Sequence, residues 1–546
     1  MKRRAIGGSL RVSLAIGIFF LPAMTGTAHA QRRAPMTTHV PDEVSSGLAP
    51  LVGRLPANQR VSLAISLPLK NQTELESFLA DLYDPRSPNF RHYLSVEEFA
   101  EKFGPSEEDY AALQRFAQAN GLRIVEKMSN RMVLDVEAPA ANIESAFHVT
   151  MGVFQHPTEA RTFFSADREP TVEADVPILH ITGLDDFVLP QAKNFISPDA
   201  VSKNAKGSGP GGSFLGSDLR MAYYGTGSLN GAGQKVAIYA LKGFNMTDIN
   251  TYFGNAHQGL NVPIKAVSVN GASTTCGTGC SDAEQCLDIE QAISMAPGLT
   301  QLLFYVGKND ISILNQMASD NSAKSISISY GWKKDQSSLD PVLEEMAAQG
   351  QSVFVATGDQ GSGTAANVVW PSDDAWVTAV GGTVLTAKTA GGGWQSETGW
   401  VHSAGMVSKN GVAIPSYQLL AGVITATNHG SKTLRNIPDV SSESNASQYI
   451  CSDGSCRNFG GGTSYAAPLW ASLIAMANQQ AASRGDANIG FLNPIIYDIG
   501  TGSTFGSNIH DITSGNNGGF NAVGGFDLVT GWGSPQGVNL INALAP

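Results

Sequence analysis

The sequence predicts an α/β protein in which a large parallel sheet, covered by helices on both faces, follows a smaller α/β unit. The chain has 546 residues, more than one ordinary domain contains. Hydrophobic residues make up 42% of it and charged residues 15%, as in a well-packed globular protein. From residue 215 onward, strand-like and helical patterns alternate, which is typical of parallel sheets.

The first thirty residues have the order of a secretory signal peptide. Lys2, Arg3 and Arg4 precede an apolar run at 12–21, and small residues lead to an expected cleavage after Ala30. No later segment is apolar over the length that a bilayer requires. We therefore expect a soluble, exported protein that is secreted to the medium or, alternatively, retained in the periplasm. The formal net charge of -12 argues against nucleic acid as a partner.

Residues 31–202 are predicted to form the smaller unit. Its helical patterns lie at 72–83, 96–103, 107–120 and 141–147, and a strand-like run lies at 131–136. The segment 203–212 is rich in Gly, Ser and Lys and has no apolar periodicity, which is typical of a linker. We expect the chain to be cut there during maturation, so that the main domain is 213–546.

The main domain contains the alternating patterns. Its strand-like runs are 235–241, 301–306, 325–329, 352–356 and 377–380, and its helical segments are 282–295, 311–320 and 341–348. Active residues of such sheets lie at the carboxyl edge of the strands. Ser464, Asp359 and the helix that carries Glu284 are expected to meet there.

The most specific motif is Gly-Gly-Thr-Ser-Tyr-Ala-Ala-Pro at 461–468. The glycines permit a tight turn, and a serine that opens a helix lies beside unpaired N–H groups that can stabilise a negative charge. This pattern predicts that Ser464 is a nucleophile. A glycine-rich turn in which Ser464 only caps the helix is the alternative. The full octet resembles the active-site signature shared by subtilisin-like peptidases and sedolisins.

The base that activates the serine distinguishes these two families. Four histidines follow the linker, namely His257, His402, His429 and His510. None of them has the His-Gly-Thr setting that carries the base in subtilisin-like enzymes. This argues against an ordinary Ser-His-Asp triad.

Two acidic residues offer another base. Glu284 and Asp288 are four residues apart, hence on one face of the predicted helix and close enough to share a proton. A solvated helix surface is the alternative interpretation. The spacing resembles the Glu-x-x-x-Asp pattern of sedolisins, and Ala-Pro-Gly follows at 296–298. The resemblance implies that Glu284 is the general base to Ser464 and that Asp288 orients and polarises Glu284.

Asp359 stands in a glycine turn after a buried strand pattern, where a plain turn residue is the alternative. Sedolisins have aspartate where subtilisin relatives have the asparagine that binds the oxyanion. The resemblance implies that protonated Asp359 and the Ser464 N–H form an oxyanion hole. Such a site favours acid, because a histidine base is protonated near pH ~4 while a carboxyl pair with ordinary pKa values of about 4 stays partly ionised.

Weaker matches extend over most of the exported chain. Residues 90–105 resemble the activation domain that precedes sedolisin catalytic domains, and 327–332 resemble the strand that pairs with the substrate backbone. The chain is thus identified as similar to the sedolisin family of serine-carboxyl peptidases, with an activation domain of the pro-kumamolisin type. The resemblance implies a subtilisin-like, doubly wound parallel sheet. At 403–406, Ser-Ala-Gly-Met stands where the family usually has a glycine cluster, which affects details of the substrate pocket.

The resemblance also implies one structural calcium ion near the C-terminus. Asp511 and Asp527 would supply carboxylate oxygens, and Ile512, Val523 and Gly525 would supply carbonyl oxygens, the ligands that Ca²⁺ prefers. Two loop aspartates that cap turns are the alternative.

Five cysteines lie in the exported part of the chain, where disulfides persist. The short spacing within Cys276/Cys280 and within Cys451/Cys456 allows two local bridges, which leaves Cys286 over. Neither pair has a recognisable zinc-ligand spacing.

The sequence therefore predicts a monomeric, secreted, acid-acting endopeptidase that hydrolyses proteins. It is made as an auto-activating precursor whose propeptide serves as intramolecular inhibitor and chaperone. One alternative is a neutral subtilisin-like peptidase that uses a histidine. Another is a non-catalytic secreted binding protein on a peptidase scaffold, which is disfavoured because all four presumed catalytic positions hold competent groups.

Overall fold

The computed structural model describes residues 33–173, 176–193, 206–445 and 448–546. The predicted signal peptide and the start of the predicted linker lie outside these residues. Within the described ranges, no helix combines the length and apolar character that crossing a membrane requires.

The N-terminal unit is a mixture of short strands and amphipathic helices. Its strands are β1 (Arg33–Pro35), β2 (Leu51–Arg54), β3 (Arg60–Ser66), β4 (Arg123–Lys127), β5 (Val133–Pro139), β6 (Met151–Gln155), β7 (Thr162–Ala166), β8 (Thr171–Glu173) and β9 (His180–Thr182). Its helices are α1 (Asp42–Ser45), α2 (Gln72–Leu82), α3 (Val96–Lys102), α4 (Glu107–Ala119) and α5 (Ala140–Phe147). The four helices predicted in this unit are therefore confirmed to within two residues. The predicted strand at 131–136 begins two residues later and runs further.

Local sequence explains these elements. The helix α3 begins with a capping box in which the Ser95 hydroxyl accepts from the Glu98 N–H and the Glu98 carboxylate accepts from the Ser95 N–H. The strands form an antiparallel sheet in the order β4-β5-β3-β9 and a second one in the order β2-β6-β7. Alternate apolar residues of β3 and β5 form the core of this unit with α4 and α5.

A two-residue strand, β10 (Gln191–Ala192), leaves the N-terminal unit and pairs with the larger domain. The strands of that domain are β11 (Lys235–Ala240), β12 (Ile264–Ser268), β13 (Gln301–Val306), β14 (Ser325–Ile328), β15 (Tyr330–Gly331), β16 (Ser352–Ala356), β17 (Thr378–Ala387), β18 (Trp394–Gly399), β19 (Met406–Val407), β20 (Asn436–Ile437), β21 (Val440–Glu443), β22 (Gln448–Ser452), β23 (Ser455–Phe459), β24 (Ile509–His510) and β25 (Ser534–Pro535). Its helices are α6 (Gly216–Tyr223), α7 (Met246–Asn255), α8 (Ala283–Met295), α9 (Asp310–Asp320), α10 (Gln336–Ala348), α11 (Ala366–Val369), α12 (Ala466–Arg484), α13 (Asn493–Thr501), α14 (Phe505–Asn508) and α15 (Gly537–Leu544).

The central sheet has the order β12-β13-β11-β14-β16-β17, and these strands are parallel. The antiparallel β18 and the parallel β21 both pair with β17. Helices α8 and α12 pack together with α12 against β14 and β16, while α9 packs with α10 and against β11 and β13. The predicted parallel sheet with helices on both faces is confirmed. Helix α10 begins five residues before the predicted start at Pro341, because this proline lies inside the helix instead of opening it.

Apart from its own core, the N-terminal unit contributes residues to the hydrophobic core of the larger domain. Leu75, Leu79 and Phe103 of the N-terminal unit belong to the same buried cluster as the helices α9 and α10. Polar contacts accompany this packing: the Tyr83 hydroxyl donates to the Ala347 carbonyl at 2.7 Å. The N-terminal unit therefore covers one face of the larger domain.

Two disulfides are present, Cys276–Cys280 and Cys451–Cys456, as the local spacing allowed. Cys286 is a buried free thiol that lies beside the carboxylates of Asp248 and Asp282.

A buried ion pair forms between Arg435, just before β20, and Asp439, just before β21. Arg435 and Asp439 are both fully buried, and the guanidinium donates to the two carboxylate oxygens at 2.8 and 2.6 Å. Tyr497 and Asn493 also donate to Asp439. Such a network fixes the position of β21 relative to α13.

We expect Arg435→Met to destabilise the protein by about 3–5 kcal/mol, because it leaves the Asp439 carboxylate buried without its counter-charge. Chemical denaturation in a Ser464→Ala background, which avoids self-digestion, measures the effect. Arg86→Met is the matched control, since Arg86 pairs with Asp84 on the exposed surface and its loss should leave the midpoint unchanged. Equal midpoints for the two variants would contradict the expectation.

Candidate active site

Ser464 lies in the 3₁₀ turn Thr463–Tyr465, which leads directly into α12. Its side chain is fully buried. The backbone of Gly462 is extended, with φ 176°, so the tight turn predicted before the serine does not require a left-handed residue there. The serine nevertheless occupies the predicted place at the opening of a helix.

The hydroxyl and the amide of Ser464 both point at one carbonyl oxygen, that of Lys193. The Ser464 Oγ donates to it at 2.5 Å, and the Ser464 N–H donates to it at 3.2 Å. Lys193 follows β10 at the end of the N-terminal unit, and its own N–H donates to the Ser329 carbonyl at 2.9 Å. Sequence reasoning missed Lys193, because a lysine 271 positions from the serine carries no local signal of this contact.

Helix α8 brings two carboxyl groups beneath the serine. Glu284 and Asp288 are 4% and 1% exposed, which excludes a solvated helix surface. The Ser329 hydroxyl donates to Asp288 Oδ1 at 2.7 Å, whereas neither oxygen of Glu284 makes a hydrogen bond of standard geometry with a described residue. Ser329 thus holds Asp288 and leaves Glu284 available to the serine.

Burial dominates the protonation of these carboxyls. It raises the pKa of Glu284 well above the ordinary value, and the nearby Asp288 raises it further, with Ser464 and Ser329 acting in the opposite direction. Burial also raises the pKa of Asp288, which the Ser329 hydroxyl partly offsets. The ordinary pKa values of about 4 used for the sequence prediction therefore do not apply to this buried pair.

Asp359 follows β16 and Gly358, whose φ of 117° is a conformation that favours glycine. Its Oδ1 accepts from the Thr463 N–H at 2.8 Å and from the Thr463 hydroxyl at 2.9 Å. Its Oδ2 is buried and has no hydrogen-bond partner among the described residues. Burial raises the pKa of Asp359 to about 7, although the Thr463 bonds and the charge of Lys193 lower it. Thr463, which holds this side chain in place, was also missed from the sequence.

The four histidines occupy other places in the larger domain. His257 and His429 are exposed, His402 packs edge-on against Trp400, and His510 stacks on Trp394 with the ring centroids 3.9 Å apart. The Ser464 hydroxyl donates to a carbonyl oxygen and has the Glu284 carboxyl nearby, and no imidazole of the described residues is its partner.

The residues suggested for calcium come together in one loop cluster. The Gly525 N–H donates to the Asp511 carboxylate, and the Val523 N–H donates to Asp527 at 2.9 Å. The carbonyl oxygens of Ile512, Val523 and Gly525 accept no backbone hydrogen bond from another described residue. Two carboxylates and three available carbonyls fit a calcium ion. Asp527 also accepts from the turn that follows it, as the capping alternative expects.

Comparison with known proteins shows the family of this chain. The model of the Pro-kumamolisin activation domain matches residues 49–187. Kumamolisin from Bacillus sp. (strain MN-32) is 30% identical over 554 residues, which cover 95% of each chain. This chain belongs to the sedolisin family. It is therefore a serine-carboxyl peptidase with an N-terminal activation domain.

Two further similarities agree with this assignment. Sedolisin from Pseudomonas sp. (strain 101) is 26% identical, and the match covers 94% of this chain and 91% of that protein. A solved structure of Pseudomonas sedolisin, a serine-carboxyl proteinase complexed with two molecules of pseudo-iodotyrostatin, superposes with a TM-score of 0.51 at 26% identity. It covers 62% of this chain and 97% of the sedolisin chain. The subtilisin-like fold of this peptidase is thus confirmed.

We expect Asp359→Ala to lower kcat about 10²–10³-fold with a small effect on KM, because it removes a donor that would act mainly in the transition state. Steady-state kinetics on a peptide substrate in acid measure both constants. The exposed Asp486 provides the control, and Asp486→Ala should leave both constants unchanged. A loss confined to KM would show that Asp359 contributes to binding and not to the oxyanion hole.

Proposed function

We propose that this serine-carboxyl peptidase is an exported endopeptidase that acts in acid and cuts its own activation domain from the precursor. The observation that carries the proposal is the Lys193 carbonyl, which accepts from both the Ser464 hydroxyl and the Ser464 N–H. Three buried carboxyl groups surround this contact. Export is supported by the signal-peptide pattern of residues 1–30.

The reaction begins with the attack of Ser464 Oγ on a peptide carbonyl. Glu284 takes the serine proton as general base, and Asp288, fixed by Ser329, polarises Glu284. The developing oxyanion receives hydrogen bonds from the Ser464 N–H and from a proton on Asp359 Oδ2, the oxygen that has no other described partner. Glu284 then returns the proton to the leaving amine, and water releases the acyl group from the serine.

Proton accounting explains why this arrangement suits acid. Two adjacent buried carboxyls cannot both ionise readily, so the Glu284–Asp288 pair titrates as a unit, and the loss of its first proton supplies the base and sets the low-pH limit of activity. The oxyanion donor needs the opposite state, since Asp359 can donate only when protonated. With its pKa raised to about 7, Asp359 keeps its proton in acid and loses it as the pH rises through that value.

The structure offers less support for the two alternative functions, a neutral peptidase with a histidine base and a non-catalytic binding protein. A neutral Ser-His-Asp mechanism requires a histidine at the serine hydroxyl, and the described partners of that hydroxyl include none. A binding protein on a peptidase scaffold would have no need of three buried carboxyls around one serine, because burying such groups costs free energy.

We further propose that the loop cluster of Asp511 and Asp527 binds one structural calcium ion, with carbonyl oxygens from Ile512, Val523 and Gly525. The ion would join two loops of the C-terminal region and neutralise their carboxylates.

The pH–rate profile tests the acid mechanism. We expect kcat/KM on a casein-derived peptide to be maximal in acid and to fall above a pH of about 7, where Asp359 loses its proton. Ser464→Ala should abolish activity. Each substitution of His257, His402, His429 or His510 by Ala should retain activity, whereas losing a true histidine base costs about 10²–10⁴-fold. A maximum at neutral pH, or loss on replacing one histidine, would contradict the carboxyl mechanism.

Thermal unfolding tests the calcium site. We expect added Ca²⁺ to raise the Tm of the Ser464→Ala protein and EDTA to lower it, because an ion that binds only the folded state stabilises it. Asp527→Ala should remove this calcium-dependent difference, while Asp486→Ala should keep it. Because Asp527 also caps a turn, the difference in Tm and not the absolute Tm is the readout. A Tm that does not respond to calcium in the unsubstituted loop overturns the site.

A further inference from the structure

We propose that the primary specificity pocket of this peptidase selects lysine, and that its first self-cleavage breaks the bond between Lys193 and Asn194. The pocket is the space that the Lys193 side chain fills, bounded by Gly331, Ala356 and Val369. This inference deepens the proposed function and rests on it, since it names the substrate class and the first bond cut.

The backbone of the activation domain enters the site as an extended strand. Gln191 pairs with Gly331 and Ala192 with Tyr330 in antiparallel register, and the Lys193 N–H continues the ladder to Ser329. Main-chain pairing of this kind holds a peptide by its backbone and fixes which carbonyl is presented. That carbonyl is the one of Lys193, at 2.5 Å from Ser464 Oγ.

The side chain of Lys193 lies in a buried pocket that is polar at its end. Lys193 is 1% exposed, and its Nζ donates to the Ala356 carbonyl at 2.5 Å and to the Val369 carbonyl at 3.2 Å. The Asp373 carboxyl attracts the ammonium electrostatically, and Asp359 and Glu284 do so in their ionised states. Burial lowers the pKa of Lys193 to about 7, so in acid the group is a cation. The pocket end therefore presents acceptors and negative charge to a long cationic side chain.

The wall of the pocket depends on a glycine. A Cβ on Gly331 would lie 2.8 Å from the Lys193 Cε and 2.0 Å from the Val368 carbonyl oxygen. Any side chain at this position would therefore obstruct the path of the lysine stem. The strand β15, which pairs with the peptide backbone, therefore also leaves space for the lysine side chain next to Gly331.

Other side chains satisfy the pocket less well. Leucine or alanine would remove the donor to the Ala356 carbonyl, which costs free energy, while the Val369 carbonyl would keep its hydrogen bonds from Ser372. Glutamate would face carbonyl dipoles and the Asp373 carboxyl, which repel its charge. The guanidinium of arginine is wider than an ammonium, and the fully buried end offers it two carbonyls in place of the planar carboxylate that it matches best. Lysine is therefore favoured over arginine.

The first cut is a balanced acyl transfer. Ser464 Oγ forms an ester bond with the Lys193 carbonyl carbon, and the bond to the Asn194 nitrogen breaks as that nitrogen receives the serine proton through Glu284. Water then hydrolyses the ester and restores the hydroxyl. The predicted cutting of the linker at 203–212 would follow as a later step on the new N-terminus.

The order of cuts can be measured on the full-length precursor. We expect acidification to give a first new N-terminus at Asn194, detected by mass spectrometry over time. Lys193→Gln, which keeps length but removes the charge, should slow this cut at least about tenfold. Lys206→Gln is the matched control, since Lys206 is an exposed lysine nearby in the chain, and should leave the rate unchanged. A different first N-terminus, or equal rates for the two variants, overturns the proposal.

A second measurement does not depend on the folding of any variant. The mature enzyme is given peptides that copy residues 188–197 with Lys, Arg, Gln or Leu at position 193. We expect kcat/KM to be highest for Lys and at least about tenfold lower for Gln and Leu. Hydrolysis that depends on Ser464 but favours Leu, or that favours Arg over Lys, overturns the selectivity while the proposed function stands. If no peptide is cut in a Ser464-dependent manner in acid, the proposed function itself fails.

Discussion

The burial of three carboxyl groups around a single serine hydroxyl is the constraint on which the rest of this structure depends. Glu284, Asp288 and Asp359 lie out of water, and their pKa values are raised because the charged forms lose solvation. One hydroxyl, from Ser329, fixes Asp288, and Thr463 fixes Asp359. The architecture thus sets protonation states through solvation and a few hydrogen bonds.

The occupied cleft gives this arrangement a second role. The peptide segment that ends at Lys193 is joined to a domain that shares a hydrophobic core with α9 and α10, so the chain holds its carbonyl at the serine without binding a second molecule. Intramolecular placement makes such a contact effective even when each hydrogen bond is weak. The same placement excludes other peptides from the serine, and one geometry therefore serves both the inhibition and the self-processing proposed for this chain.

The sequence predicted more of the scaffold than of the site. Alternating patterns located β11, β13, β14 and β16 to within one residue, and the octet located Ser464, because both signals are local. The strand β12 was missed, and β17 runs seven residues beyond its predicted end. Three features required the folded chain. The Lys193 carbonyl contacts a serine that is 271 positions away in the sequence. The hydroxyl of Thr463 holds Asp359, but nothing in the octet distinguishes it from the other hydroxyl groups there. The pKa values depend on the burial of the carboxyl groups, which their spacing in the sequence does not reveal. Helix α10 was predicted too short because a proline can lie within a helix whose packing outweighs its cost.

The contact between the activation domain and α10 contains groups that respond to pH apart from the chemistry at Ser464. Glu344 accepts from Gln72 and Glu345 accepts from Asn130, and burial raises the pKa of Glu344 to about 7 and that of Glu345 to about 8. A group whose pKa is raised by the contact stabilises the contact fully when the pH is below the ordinary pKa of that group. This contribution is lost as the pH rises through the raised pKa. His39 opposes them, since burial lowers its pKa to about 3. Protonation of Glu344 and Glu345 therefore favours the contact of the activation domain with α10, whereas protonation of His39 disfavours its burial, so pH acts on this interface in two opposing directions.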